Sequence, residues 1–178
     1  MRQALKLHPD SRSVAVSAIE VDITRATAAN LVLRYRVTGK IEDLRIPSAA
    51  APKRADELWK HTCFEAFVRA PASDAYCELN FSPSREWAAY AFASYRSGMK
   101  PADGIEAPRI EVAASTATYE LRAALSLGGL ASEPLWRLNL SAVIEEASGN
   151  KSYWAFMHPP GKPDFHHSDC FALELATA

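Results

Sequence analysis

Short runs in which apolar and polar residues alternate, broken by Gly, Pro, Ser, Asn or Asp, recur along the whole chain. In Asn30–Gly39 (NLVLRYRVTG), Leu31, Leu33, Tyr35 and Val37 alternate with Val32, Arg34, Arg36 and Thr38. A period of two sends the first set to one face of a strand and the second set to the other. The same pattern predicts strands over residues 62–69, 76–82, 86–96, 109–115, 118–125, 136–146, 151–158 and 171–176, with earlier ones near 3–8, 14–16 and 19–25. A helical turn fits within 56–61, but no stretch has the spacing of a long amphipathic helix. About ten short strands without strand–helix–strand alternation predict an all-β chain, an antiparallel β-sandwich of immunoglobulin-like or jelly-roll type. A length of 178 residues suits a single domain over 1–178.

Hydrophobic matching sets the register of the hairpins, because a slip of one residue exchanges the two faces of a strand. In 62–69, Phe64, Ala66 and Val68 oppose Cys63, Glu65 and Phe67; in 76–82, Cys77, Leu79 and Phe81 oppose Tyr76, Glu78, Asn80 and Ser82. Pairing the apolar rows puts Glu65 beside Asn80 and diagonal to Glu78, and puts Cys63 and Cys77 on opposite faces. A tight turn at Pro83-Ser84 brings Trp87 beside Asn80 on the same outward face, above Ala89, Ala91 and Ala93, with Tyr90 and Phe92 toward the core. In the hairpin joined by 147–150, Trp136, Leu138, Leu140, Ala142 and Ile144 match Tyr153, Ala155 and Met157 as a core row. Its reverse face then carries Arg137, Asn139 and Ser141 against Trp154, Phe156 and His158. Rings mixed with amide and ionic groups suit a sugar, whose C–H faces stack while its hydroxyls form hydrogen bonds. The plain alternative is a solvated face, its aromatics covered by loop 99–108.

Twenty Lys+Arg against 21 Asp+Glu give a net charge of -1, so electrostatics favours neither nucleic acid nor an anionic membrane as a partner. No apolar run approaches the ~20 residues that span a bilayer, and the amino terminus lacks the pattern of a cleaved leader; a cytoplasmic location is expected. Three cysteines without a CxxC pair predict buried free thiols, with Cys170 entering the last strand. No four-ligand spacing for a metal is present, and no G-x-S-x-G, phosphate-loop or dinucleotide fingerprint; no metal and no cofactor are expected. Three prolines within 158–163 stiffen a loop that presents His158, Asp164 and His166. His166 and His167, if extended, point opposite ways and do not share a metal. Trp59, just before a strand, is expected to plug one end of the fold. Glu65 and Glu78 are candidates for an acid/base pair, or for carboxylates satisfied by Arg137.

Residues 56–68 (DELWKHTCFEAFV) resemble the W-x-x-[DT]-x-x-E-x-F signature of the DOMON-like superfamily, which includes carbohydrate-binding module family 9. Residues 76–83 (YCELNFSP) look like the strand that follows it. The 136–140 strand, Trp154, and an F-H-x-x-D-x-F turn at 165–171 resemble its closing half. The likeness spans roughly 30–176 and is nearest to a bacterial group of that superfamily without assigned activity. It implies a β-sandwich that binds sugar or, in other branches, haem. The expected function is non-catalytic binding of a saccharide or sugar-derived metabolite on a concave sheet face. Trp87 and Trp154 would stack, and Glu65, Glu78, Asn80, Arg137, Asn139, His158 and His166 would form hydrogen bonds. The alternatives are a glycoside-type hydrolase or isomerase using Glu65 and Glu78, a protein-interaction module that includes a homo-oligomer formed through the aromatic face, and haem binding.

Overall fold

The computed structural model describes residues 1–177. They form twelve strands: β1 (Arg2–Leu7), β2 (Val16–Arg25), β3 (Asn30–Gly39), β4 (Cys63–Arg69), β5 (Tyr76–Phe81), β6 (Trp87–Phe92), β7 (Lys100–Pro101), β8 (Arg109–Ala114), β9 (Thr118–Ser126), β10 (Leu135–Glu145), β11 (Lys151–Ala155) and β12 (Leu173–Ala176). Helix is confined to short 3₁₀ turns. The strand count exceeds the ten expected. The two-residue β7 lay below the reach of a periodicity argument, whereas the stretches near 14–16 and 19–25 are one strand with an irregularity between Val16 and Ala18.

All strand pairs are antiparallel, in the order β7-β6-β5-β4-β10-β11-β1-β2-β3-β9-β8, with β12 alongside β10. The sheet curls because β1 serves both halves: residues 2–5 pair with β2, and Lys6 and Leu7 pair with β11. The halves meet through their apolar rows. Tyr35 on β3 packs against Phe64 on β4 at 5.1 Å between ring centroids, and Phe64 stacks on Tyr119 of β9. The Tyr35 hydroxyl donates to the Glu65 carbonyl at 2.7 Å, tying the two halves with a buried hydrogen bond. On β3, Leu31, Leu33, Tyr35 and Val37 are buried and alternate with Val32, Arg34, Arg36 and Thr38, as the period of two requires.

Strands β4 to β6 depart from the usual one-wet-face rule: nearly every residue is buried on both faces. Phe64, Ala66, Val68, Leu79 and Phe81 enter the central core. Cys63, Phe67, Tyr76, Tyr90 and Phe92 form a second apolar cluster on the outer face, with Leu58, Trp59, Phe165 and Phe171 packed over it. The cover is therefore the 3₁₀ turn Leu58–Lys60 and the proline-rich segment 158–171, not loop 99–108.

Two hairpin registers differ from expectation by one residue, for one shared reason. Phe81 pairs with Trp87, and Glu145 pairs with Lys151. Each connection is a three-residue loop closed by the same hydrogen bonds: Ser82 N–H to Glu86 O with Arg85 N–H to Ser82 O, and Glu146 N–H to Asn150 O with Gly149 N–H to Glu146 O. The last loop residue is left-handed in both, Arg85 at φ 72° and Gly149 at φ 87°. The pairing parity changes accordingly. Trp87 and Trp154 turn inward and join the core, with Ala142 opposite Trp154 and the Arg54 guanidinium 5.3 Å from the Trp87 ring centroid. Tyr90, Phe92 and Tyr153 turn outward instead, and Met157 is half-buried outside both apolar clusters. Replacing Trp154 by Ala is expected to remove ~3–5 kcal/mol of stability in urea unfolding; a loss within ~0.5 kcal/mol, typical of exposed positions, would contradict its placement in the core.

Candidate functional site

The cover over β4–β6 leaves a hollow of about 380 Å³, a size common for small-molecule sites. Glu65 of β4 and Glu78 of β5 reach it from the sheet, with Val143 and Tyr153 from β10 and β11. Phe92, Arg96 and Met99 line it from the β6–β7 side, Pro163, Phe165 and His166 from the proline-rich segment, and Trp59 from the 3₁₀ turn.

The proline-rich segment is held in place by named bonds. The Asn139 amide donates to the Phe165 carbonyl at 2.9 Å. Asp164 accepts from the Tyr95 hydroxyl, from the Arg96 guanidinium at 2.8 Å and from the His166 backbone N–H. The Cys170 thiol is buried as expected, but in the 3₁₀ turn Ser168–Cys170 ahead of β12 rather than in the last strand, within hydrogen-bonding distance of the carbonyls of Met157 and Asp164. Tyr76 Oη lies 2.7 Å from His166 Nδ1 and accepts the Arg96 backbone N–H at 3.2 Å. On the other side of the ring, His166 Nε2 lies 3.7 Å from Glu78 Oε2.

Glu65 and Glu78 are 3% and 5% exposed, yet neither has a charged partner among the described residues apart from that distant histidine edge. Glu65 Oε2 accepts from Ser141 at 3.1 Å, and Glu78 Oε1 accepts from the Asn80 amide at 2.7 Å. Burial pushes the Glu65 carboxyl up to about 8, reinforced by the charge of Glu78 and opposed by Ser141. Burial raises Glu78 as well, against the Asn80 hydrogen bond and the Arg96 charge. Burial, helped by Arg96, holds His166 down at about 4, so its ring is neutral near pH 7. The pair of carboxyls thus keeps a proton at neutral pH, and the hollow contains an acid, an acceptor, a neutral imidazole and flat aromatic walls.

Glu65 pairs with Asn80 and lies diagonal to Glu78, the register expected from the rows. Of the other candidates, His166 lines the hollow and Asn80 braces Glu78 from within. Asn139 is fully buried and spends its amide on the Phe165 carbonyl. Arg137 does not reach either glutamate: it faces β12 and pairs with Glu174 at 2.9 Å. His158 also lies apart, bonded through Nε2 to the Lys6 carbonyl, with its ring edge against His8. Trp87 and Trp154 are core residues and supply no stacking surface. The rings that line the hollow are Tyr153, Phe165, Phe92 and Trp59, with Phe92 itself stacked on Tyr76. Tyr76, Arg96 and Met99 escaped the sequence reading: Tyr76 sits in a strand like any core aromatic, and the turn carrying Arg96 (φ 50°) lies far along the chain from the 158–167 loop. No group of three or more His, Cys, Asp or Glu among the described residues is placed to hold a metal ion. No described helix is long and apolar enough to cross a membrane.

No protein-family model matches the chain, and no curated protein matches it. Solved structures do. A protein from Bacteroides uniformis proposed to bind carbohydrate superposes with a TM-score of 0.68 at 14% identity, covering 96% of this chain and 83% of its own. A carbohydrate-binding module of family 9 from Caldicellulosiruptor kristjanssonii, in complex with cellotriose, gives 0.53 at 11% identity over 90% of this chain and 74% of that one. These likenesses establish a shared fold. They do not carry a site across, since the identities leave side chains unconstrained.

Folding lets Glu65 keep its proton up to about pH 8, whereas the unfolded chain releases it near the ordinary 4.5. Between those values the folded state binds more protons, so stability falls as pH rises through the window. Glu65→Gln removes that fall and should gain at least ~1 kcal/mol on the wild type between about pH 5 and pH 9 in urea titrations. Parallel pH profiles for the two proteins would mean that Glu65 titrates as a solvated carboxylate.

Proposed function

We propose that the hollow binds a saccharide or sugar-derived metabolite, and that the chain is a DOMON-like β-sandwich whose primary role is binding. The observation that carries this is a pair of buried glutamates reaching an aromatic-walled hollow without charge partners of their own. Carboxyl and carboxylate groups grip vicinal hydroxyls, and the Tyr153, Phe165 and Trp59 rings suit the apolar face of a pyranose. His166 and Arg96 add polar groups at the edge. The carbohydrate-binding neighbours in fold, one of them holding cellotriose, support the same reading.

A second reading is favoured by one specific feature: both carboxyls converge on the hollow, and neither is ion-paired with an arginine among the described residues. One protonated and one ionised carboxyl is the equipment of a general acid and a base. A glycoside-type hydrolase or isomerase is therefore the runner-up.

Calorimetry with glucose, galactose, their 2-amino and N-acetyl derivatives and cellobiose tests the first reading. At least one sugar should bind, and Tyr153→Ala should weaken it by about 3- to 10-fold, the worth of one stacking ring. Silence across the panel, or unchanged affinity in the variant, would refute a stacked sugar here. Turnover of nitrophenyl glycosides that vanishes in Glu65→Gln would move the assignment to the second reading.

A further inference from the structure

Glu65 and Glu78 project from neighbouring strands into one hollow, each at least nine-tenths buried. Glu65 Oε1 accepts no hydrogen bond from the described residues, its Oε2 being the atom that meets Ser141. The positive side chain on the wall, Arg96, is already committed to Asp164. The groups around Glu65 come from the surrounding elements: Cys63 on its own strand, Glu78 on β5, Ser141 on β10, Tyr153 on β11, Tyr35 from the core side, Arg96 from the β6–β7 turn and His166 from the cover. Arg96 is ion-paired with Asp164 and His166 is a neutral ring, so ionising both glutamates leaves two negative charges opposed only by the weak pull of Arg96 on Glu78. Burying charge without a partner is costly, so the molecule retains a proton instead. A bound cation would remove that cost, and the aromatic residues Trp59 and Phe165 line the same hollow.

Resting on the saccharide reading above, we propose that the preferred ligand is an amino sugar whose free ammonium meets Glu65 and Glu78, in preference to a neutral sugar. The exchange balances: the ammonium enters carrying its positive charge, the carboxyl O–H gives its proton to buffer, and the resulting carboxylate accepts from the ammonium. No other bond is made or broken.

The test is titration calorimetry near pH 6.5 with glucosamine, glucose, N-acetylglucosamine and methylammonium, repeated in two buffers of different ionisation enthalpy. Glucosamine should bind at least about tenfold more tightly than glucose or N-acetylglucosamine, and release about one proton per molecule bound. Glu65→Gln should abolish the preference, and Glu78→Gln serves the same purpose if the first variant does not fold. Equal binding of glucose and glucosamine without proton release would overturn the ammonium proposal and leave the saccharide reading standing. Binding of methylammonium with no response to any sugar, or no binding at all, would overturn both.

Discussion

The closure of segment 158–171 over the outer face of β4–β6 is the constraint from which the other features of the site follow. An antiparallel strand normally gives one face to water, but here Cys63, Phe67, Tyr76, Tyr90 and Phe92 make that face apolar and require a lid. The three prolines within 158–163 reduce the entropy lost on ordering it. The Asn139–Phe165 bond, the Asp164 contacts to Tyr95 and Arg96, and the Cys170 thiol then pin it. The lid meets Trp59 incompletely, and the gap lies over Glu65 and Glu78.

Closure also sets the electrostatics. Stripped of water, two carboxyls cannot both ionise cheaply, and the same dryness keeps His166 neutral. Arg96 could have neutralised one of them, but Asp164 holds its guanidinium, while its backbone N–H orients the Tyr76 hydroxyl. The lid therefore removes water from the glutamates and also engages the cation that would have relieved them. A hollow built this way is selective through charge and hydrogen bonding, with its rings adding contact area.

Periodicity resolved some strands better than others for identifiable reasons. The β4–β5 register was readable because three apolar residues on each strand admit one match, and Glu65 beside Asn80 follows. The β5–β6 and β10–β11 registers depended on loop geometry that alternation does not encode. A left-handed residue at the end of each loop shifts the pairing by one. Gly149 was a usable hint of it, since glycine favours that conformation; Arg85 offered none. The slip exchanged Trp87 for Tyr90 and Phe92, and Trp154 for Tyr153, so the rings that line the hollow, Phe92 and Tyr153 among them, are different ones from those the alternation suggested.

Local alternation was sufficient for the all-β antiparallel class, for most strand positions, for the adjacency of Glu65, Asn80 and Glu78, and for a stiff loop carrying His166. These follow from contacts between neighbours along the chain or across one hairpin. Which face of a strand met the core, and which loop covered the other, depended on long-range packing: Asn139 to Phe165, Tyr76 to His166, Arg96 to Asp164. Each of those pairs joins segments at least 26 residues apart, and their meeting is a property of the curled sheet and its lid that no local pattern of residues contains.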